Sequence, residues 1–301
     1  MATIFRGILP ALAATLVVTC AVHAQTAPAA REGDVAVEKD VRIHYVEAGD
    51  RGARTTVLFV PGWSASGAVW RDQIASFASS ARVVAVDPRS QGQSTVTTRS
   101  NTPERRAQDL REVIKSLGLQ NVVLVGWSQG VQDVAAYAAA FEGQDIAGYV
   151  LVDSALGAGP AAAVGQPEQL KQQLERMAIY SRYPKEYLRG MMNAIIRSPQ
   201  GRARIDELVE IGLRTPTDIG ISMLMMDFVI IDRRPALKKF NRPTLVIAAA
   251  ESGELEAQRG MAAQIKDAQF ETIDKAGHAV FLDQPERFQA LLAAFVKRLQ
   301  G

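Results

Sequence analysis

Five short runs of this chain are apolar on both faces. They lie at 55–60 (TTVLFV), 81–86 (ARVVAV), 121–125 (NVVLV), 149–152 (YVLV) and 244–250 (TLVIAAA). The first four stop at Pro61-Gly62, Asp87-Pro88, Gly126 and Asp153. A strand without a polar face must be covered on both sides, as in a parallel sheet between two layers of helices. Residues 41–47 (VRIHYVE) alternate apolar and polar and predict a half-buried strand, and 270–273 predict a last one. Helical patterns fall between these runs. They cover 102–116, which opens on Thr102-Pro103, the alanine-rich 129–141, and 285–299 with Phe288, Leu291, Leu292, Phe295 and Leu299 at helical spacing. Strand alternating with helix implies right-handed crossovers and an α/β fold with a mostly parallel, doubly wound sheet.

The alternation fails from 156 to 239. A small-residue loop at 157–163 leads into helical patterns at 167–180 and 217–231, and Met191, Met192, Met223, Met225 and Met226 fall here. This reads as a helical cap inserted at the strand ends, with the core made by 35–155 and 240–301. The methionines would give such a cap a deformable apolar lining.

The first 24 residues form a different pattern. Arg6 precedes an apolar run from 8 to 22, and Ala21-Val22-His23-Ala24 supplies small residues for cleavage. This is the pattern of a secretory signal peptide, with cleavage expected after Ala24. The expected location is periplasmic or extracellular. The apolar run contains Pro10 and is too short for a comfortable bilayer span, so no stable membrane insertion is expected. Residues 25–34 read as a flexible lead-in.

Composition narrows the chemistry. Thirty-four Lys and Arg against 32 Asp and Glu leave a net charge of +2, without the basic excess that a nucleic-acid partner requires. The single cysteine, Cys20, lies in the leader, which excludes an intrachain disulfide framework and a cysteine metal cluster. Imidazole chemistry has three possible locations, His23, His44 and His278, and cleavage removes the first.

The strongest motif is Gly126-Trp127-Ser128-Gln129-Gly130, placed directly after an apolar strand and before a helix. There a serine is held on a sharp turn at a helix N-terminus, and the glycines let strand and helix close around it. A serine hydroxyl needs a base. His44 lies inside the early alternating strand and reads as a packing residue. His278 follows Ala276-Gly277 after the last strand, at the same sheet end as Ser128, and is the expected base.

These residues resemble the α/β-hydrolase fold family of serine hydrolases, esterases among them. The likeness extends over most of 35–300. It includes Pro61-Gly62-Trp63, the run from Asp87-Pro88-Arg89 to Ser94, the motif at 126–130, and Ala276-Gly277-His278 ahead of Gln284-Pro285-Glu286. The resemblance implies a Ser–acid–His order and an oxyanion hole made by the backbone N–H groups of Trp63 and Gln129. Such a donor contributes about 3–4 kcal/mol to the transition state. Two departures stand out. Pro61 replaces a usual histidine, and Ser252 stands where the acid is usually aligned. The resemblance allows Asp153, at the strand end used by haloalkane dehalogenases, or Glu254 or Glu251 in the usual loop. Asp153 is preferred, because a strand-end carboxylate is better placed for burial beside an imidazole. Asp87 and Arg89 read as loop-fixing groups, and Trp127 as an apolar wall of the substrate pocket.

The expected function is that of a secreted serine hydrolase cleaving a small carboxylic ester, with no metal and no cofactor. A lactonase, a thioesterase, a proline-releasing aminopeptidase, a C–C hydrolase, or a non-catalytic binding protein on this scaffold are the alternatives. Haloalkane dehalogenases and epoxide hydrolases use an aspartate where this chain has Ser128, which disfavours those activities.

Overall fold

The computed structural model describes residues 30–300. The expected signal peptide and most of the lead-in lie outside the described residues. Among the described residues eight strands form one sheet: β1 (Arg31–Glu38), β2 (Val41–Ala48), β3 (Thr56–Val60), β4 (Arg82–Val86), β5 (Val122–Trp127), β6 (Ile146–Val152), β7 (Thr244–Ala249) and β8 (Ala268–Ile273). Their order is β1-β2-β4-β3-β5-β6-β7-β8. The β1–β2 and β2–β4 pairs are antiparallel, and every other pair is parallel.

The helices are α1 (Arg71–Phe77), α2 (Pro103–Ser116), α3 (Gln129–Phe141), α4 (Gly159–Val164), α5 (Pro167–Arg182), α6 (Pro184–Ile195), α7 (Pro199–Arg202), α8 (Ile205–Gly212), α9 (Thr217–Leu224), α10 (Leu255–Gln264), α11 (Val280–Asp283) and α12 (Pro285–Arg298). Side chains alternate between two cores, as the two-residue strand period requires. Val57 and Phe59 of β3 and Val123 and Val125 of β5 face α1 and α12. Leu58 and Val60, with Val122 and Leu124, face α2, α3 and α10.

The strand order places the site. From β3 the chain steps one way to β4, then crosses back to β5 on the other side of β3. Connections leaving β3 and β5 therefore diverge, and the crevice at such a switch point is where open α/β sheets bind ligands. Trp63 follows β3 and Ser128 follows β5, on the two sides of this crevice.

The insertion between β6 and β7 contains α4 to α9 and a π-helical turn, Met225–Ile230. Its apolar face, with Leu188, Met192, Leu208 and Met223, continues the α1-side core. Polar contacts also tie it down. Trp63 Nε1 donates to Gly220 O at 2.8 Å, and Arg204 Nη2 donates to Ala68 O at 2.8 Å. The backbone N–H groups of Arg197 and Ser198 donate to the Asp283 carboxylate.

Two local readings are corrected. The lead-in does not extend to residue 34, because β1 begins at Arg31 and pairs with β2 from Arg31↔Glu47 onward. Only Val35 of this edge strand is buried, so it lacks the apolar alternation that announces a strand. Most of the small-residue stretch at 157–163 is helix, as α4 starts at Gly159.

One buried ion pair joins β2 to β4. Glu47 is completely buried and accepts from Arg82 Nε at 2.7 Å and from Arg51 Nη2 at 2.6 Å. Burial works to raise its pKa, but the two arginines outweigh burial and hold the carboxyl below its ordinary value. A depressed carboxylate stabilises the fold above its unfolded pKa, and that contribution disappears as pH falls through the folded value. Glu47→Ala leaves the Arg82 charge buried without this partner and is expected to destabilise by about 3–5 kcal/mol at neutral pH. Urea unfolding curves check this, and the gap between wild type and variant should narrow in acid.

Candidate active site

Ser128 sits at the junction of β5 and α3 with φ 55° and ψ −118°, a left-handed backbone that a non-glycine residue adopts only under constraint. Its N–H donates to Val152 O at 3.1 Å, which fixes the turn against β6. Neighbouring glycines make the turn possible. A Cβ on Gly130 would lie 2.7 Å from Val60 O and 2.9 Å from Pro61 O. One on Gly126 would collide with the Gly130 carbonyl. Strand, helix and the 61–63 loop thus meet backbone to backbone around the serine.

His278 lies between β8 and α11, on a loop held at several points. Gly277 N donates to Asp283 Oδ2 at 2.7 Å, Ala279 N to Ile195 O at 3.2 Å, and Trp127 Nε1 to His278 O at 2.9 Å. The ring is about one third exposed. Its Nδ1 stands 2.8 Å from Asp153 Oδ2. With the Nδ1 proton donated to this carboxylate, Nε2 is left with its lone pair.

Asp153 ends β6 and is 2% exposed. Its φ of 45° lies in the left-handed region, which non-glycine residues seldom adopt. Its other oxygen, Oδ1, accepts from Ala249 N at 2.9 Å and from Gln258 Nε2 at 3.2 Å. Gln258 Nε2 also reaches Ser252 Oγ at 3.1 Å. The carboxylate is thus held by neighbouring strands and by α10. The other two candidate acids have different partners. Glu254 Oε2 accepts from Ala155 N at 2.9 Å, and Glu251 Oε2 pairs with Arg197 Nη1 at 2.5 Å.

Ser128, Asp153 and His278 line one cavity of about 350 Å³. Ala194, Ile195 and Phe228 supply its apolar wall, and Arg197, Glu251 and Glu254 its charged side. The backbone N–H groups of Trp63 and Gln129 make no hydrogen bond among the described residues. Gln129 is the first residue of α3, where an N–H has no partner within the helix.

Two expected wall elements are placed elsewhere. Trp127 is 3% exposed and does not line the cavity. It packs on Phe281 at 5.1 Å between ring centres and supports the histidine loop from beneath. None of these methionines lines the cavity either. Met192 and Met223 are buried in the core that joins cap to sheet, because their flexible side chains fill gaps there. His44 is buried beside Asp87, its Nδ1 3.1 Å from Asp87 Oδ2, and lies outside the cavity. Asp87 accepts from Gly67 N and Gln93 N, and Arg89 pairs with Asp109 and Glu38. These groups organise loops.

A charged cluster that no sequence motif announces lies behind α3. Arg106 Nε is 2.8 Å from Asp133 Oδ1, and Arg106 Nη2 is 2.7 Å from Asp227 Oδ2. The Gln129 side-chain amide also donates to Asp227 Oδ2. All four side chains are buried. Burial pushes the Asp133 pKa up to about 7, ahead of the opposing pull of Arg106, and Asp227 is raised for the same reason.

A carboxyl raised in the folded state is protonated there while its unfolded counterpart is ionised. Stability then falls as pH climbs from the unfolded value of about 3.9 towards neutrality. Asp133→Asn cannot ionise and should escape this decline. Its melting temperature relative to wild type is expected to rise from pH 5 to pH 8. A difference independent of pH would place no titrating carboxyl at this position.

A family described as the alpha/beta hydrolase family matches residues 57–291 of the chain. A bifunctional esterase/perhydrolase of Acinetobacter calcoaceticus is 34% identical over 123 residues, which are 40% of this chain and 44% of that protein. Epoxide hydrolase 4 of Mus musculus is 33% identical over 95 residues, 31% of this chain and 26% of that protein. The chain thus spans less than half the length of these curated relatives. A thermophilic esterase from Thermogutta terrifontis superposes with a TM-score of 0.75 at 22% identity, over 90% of this chain and all of that one. At that identity the likeness is one of fold.

Proposed function

Because the chain belongs to the alpha/beta hydrolase family, we propose that it cleaves small carboxylic esters through Ser128, His278 and Asp153. The observation that carries this reading is the 2.8 Å contact of His278 Nδ1 with a buried carboxylate, in a cavity that also contains Ser128. Asp153 orients the ring and stabilises its charged form. Nε2 of His278 takes the Ser128 proton as Oγ bonds to the ester carbonyl carbon. The negative charge on the carbonyl oxygen is met by the N–H groups of Trp63 and Gln129.

Collapse of this adduct breaks the bond to the alcohol, which leaves with the proton from His278. Water then gives a proton to His278 and attacks the acyl group. The acid departs, and the proton returns to Ser128. Each step moves one proton between oxygen and Nε2, and no other reactant is needed.

The Acinetobacter relative, with esterase in its name, supports an ester substrate. The likeness to an epoxide hydrolase supports the shared fold, while Ser128 takes the place of the aspartate expected for epoxide opening. A cavity of about 350 Å³ lies at the small end for ligand pockets, which favours short acyl groups. The pattern of residues 1–24 supports a secreted protein, periplasmic or extracellular, whose mature chain starts at Gln25.

A p-nitrophenyl ester series from acetyl to palmitoyl tests the reading. Wild type should favour the short esters, and Ser128→Ala should lose on the order of 10⁶ in kcat. A fluorophosphonate should label Ser128 in the wild type. Asp153→Asn should lower kcat on the order of 10⁴, whereas Glu254→Gln and Glu251→Gln change it little. The reverse pattern would move the acid to the loop after β7.

A further inference from the structure

The catalytic steps leave the Arg106–Asp133–Asp227 cluster unused, yet it touches the reaction centre through one residue. Asp227 belongs to the π-helical turn of the cap. Its Oδ2 accepts from Arg106 of α2 and from the side chain of Gln129, the first residue of α3. The next residue in the turn, Phe228, walls the cavity. The backbone around Asp227 is pressed close to the core, since a Cβ on Gly157 would collide with Asp227 O. Behind it, Gln132 Oε1 accepts from Gly157 N at 3.0 Å.

We infer that Asp227 is a positioning residue: through the Gln129 side chain it sets the oxyanion N–H and the Phe228 wall in one geometry. The inference rests on the proposed role of Gln129 as oxyanion donor. An N–H at the first helical position has no intrahelical bond to aim it. Its direction follows ψ of Ser128 and φ of Gln129, and the Gln129 residue is anchored through its side chain on a buried carboxylate that Arg106 in turn fixes. The cap thereby reaches the reacting oxygen without touching substrate at that point.

A staple that merely joined cap to core would need no glutamine. Arg106 already bridges Asp133 and Asp227, and a buried ion pair is seldom the most stabilising choice for such a joint. The added Gln129 contact is the feature that points toward the site.

The test measures kcat and KM on p-nitrophenyl butyrate, with melting temperatures, for wild type, Gln129→Ala, Asp227→Ala, Asp227→Asn and the Gln129→Ala/Asp227→Ala double variant. Removing a whole oxyanion donor costs about 10²–10³ in kcat, so misaligning one should cost about tenfold. Gln129→Ala keeps its backbone N–H but is expected to lose about that factor, with KM within about twofold, as does Asp227→Ala. The double variant should be no slower than the slower single one, because both remove the same contact. Asp227→Asn keeps an acceptor oxygen and should recover most of the loss.

Wild-type kcat in Gln129→Ala, or losses that multiply in the double variant, would overturn the coupling. If Asp227→Ala fails to fold, Gln129→Ala and Asp227→Asn still decide. Hydrolysis that survives Ser128→Ala would sink the triad and this coupling with it. A Ser128-dependent rate indifferent to Gln129→Ala overturns the coupling alone.

Discussion

The rest of the site depends on backbone contact between β5, α3 and the loop after β3. Gly126 and Gly130 allow it, because any side chain there would push into a carbonyl of a neighbouring element. With the three segments in contact, Ser128 is driven to a left-handed backbone at the head of α3. The N–H groups of Gln129 and Trp63 come to the two sides of the crevice where the sheet order reverses. Strain at one residue is thus tolerated because packing on every side over-determines it.

The remaining groups are delivered by separate elements. His278 comes from the loop after β8, which is braced by Asp283 and by the indole of Trp127. Asp153 comes from the end of β6 and is held by Ala249 N and Gln258. The position after β7, where a family resemblance would put the acid, contains Ser252, tied through Gln258 to the same network. The cap closes over this floor by polar anchors as well as apolar packing, from Trp63 to Gly220 and from Arg106 to Asp227. The insertion and this floor therefore form one packed unit around the cavity.

Most of the fold was legible because parallel strands buried on both faces leave continuous apolar runs. The strand ends at Pro61, Asp87 and Asp153 were visible for the same reason, whereas β5 runs through Gly126 to Trp127. The edge strand β1 was not, since one buried valine in eight residues has no periodicity to detect. Ser128 and His278 were legible from local pattern and scarcity. Trp127 was expected in the pocket because an aromatic residue beside such a turn serves equally well as a wall or as core, and only packing against Phe281 distinguishes them. Gln258, Arg106 and Asp227 carried no signal, as a lone polar residue in a helical pattern reads as a solvated face.

By itself the sequence determined the α/β alternation, the turn at Ser128 and the small set of groups able to act with it. Those are local properties, written in the period of apolar residues and in steric demands spanning five positions. The tertiary structure decided which carboxylate meets His278, what lines the cavity and how the cap is fastened. Each of these joins residues far apart in the chain, such as Asp153 with His278 or Arg106 with Asp227. Their contact depends on burial and on distances of about 3 Å, and only the folded chain sets these.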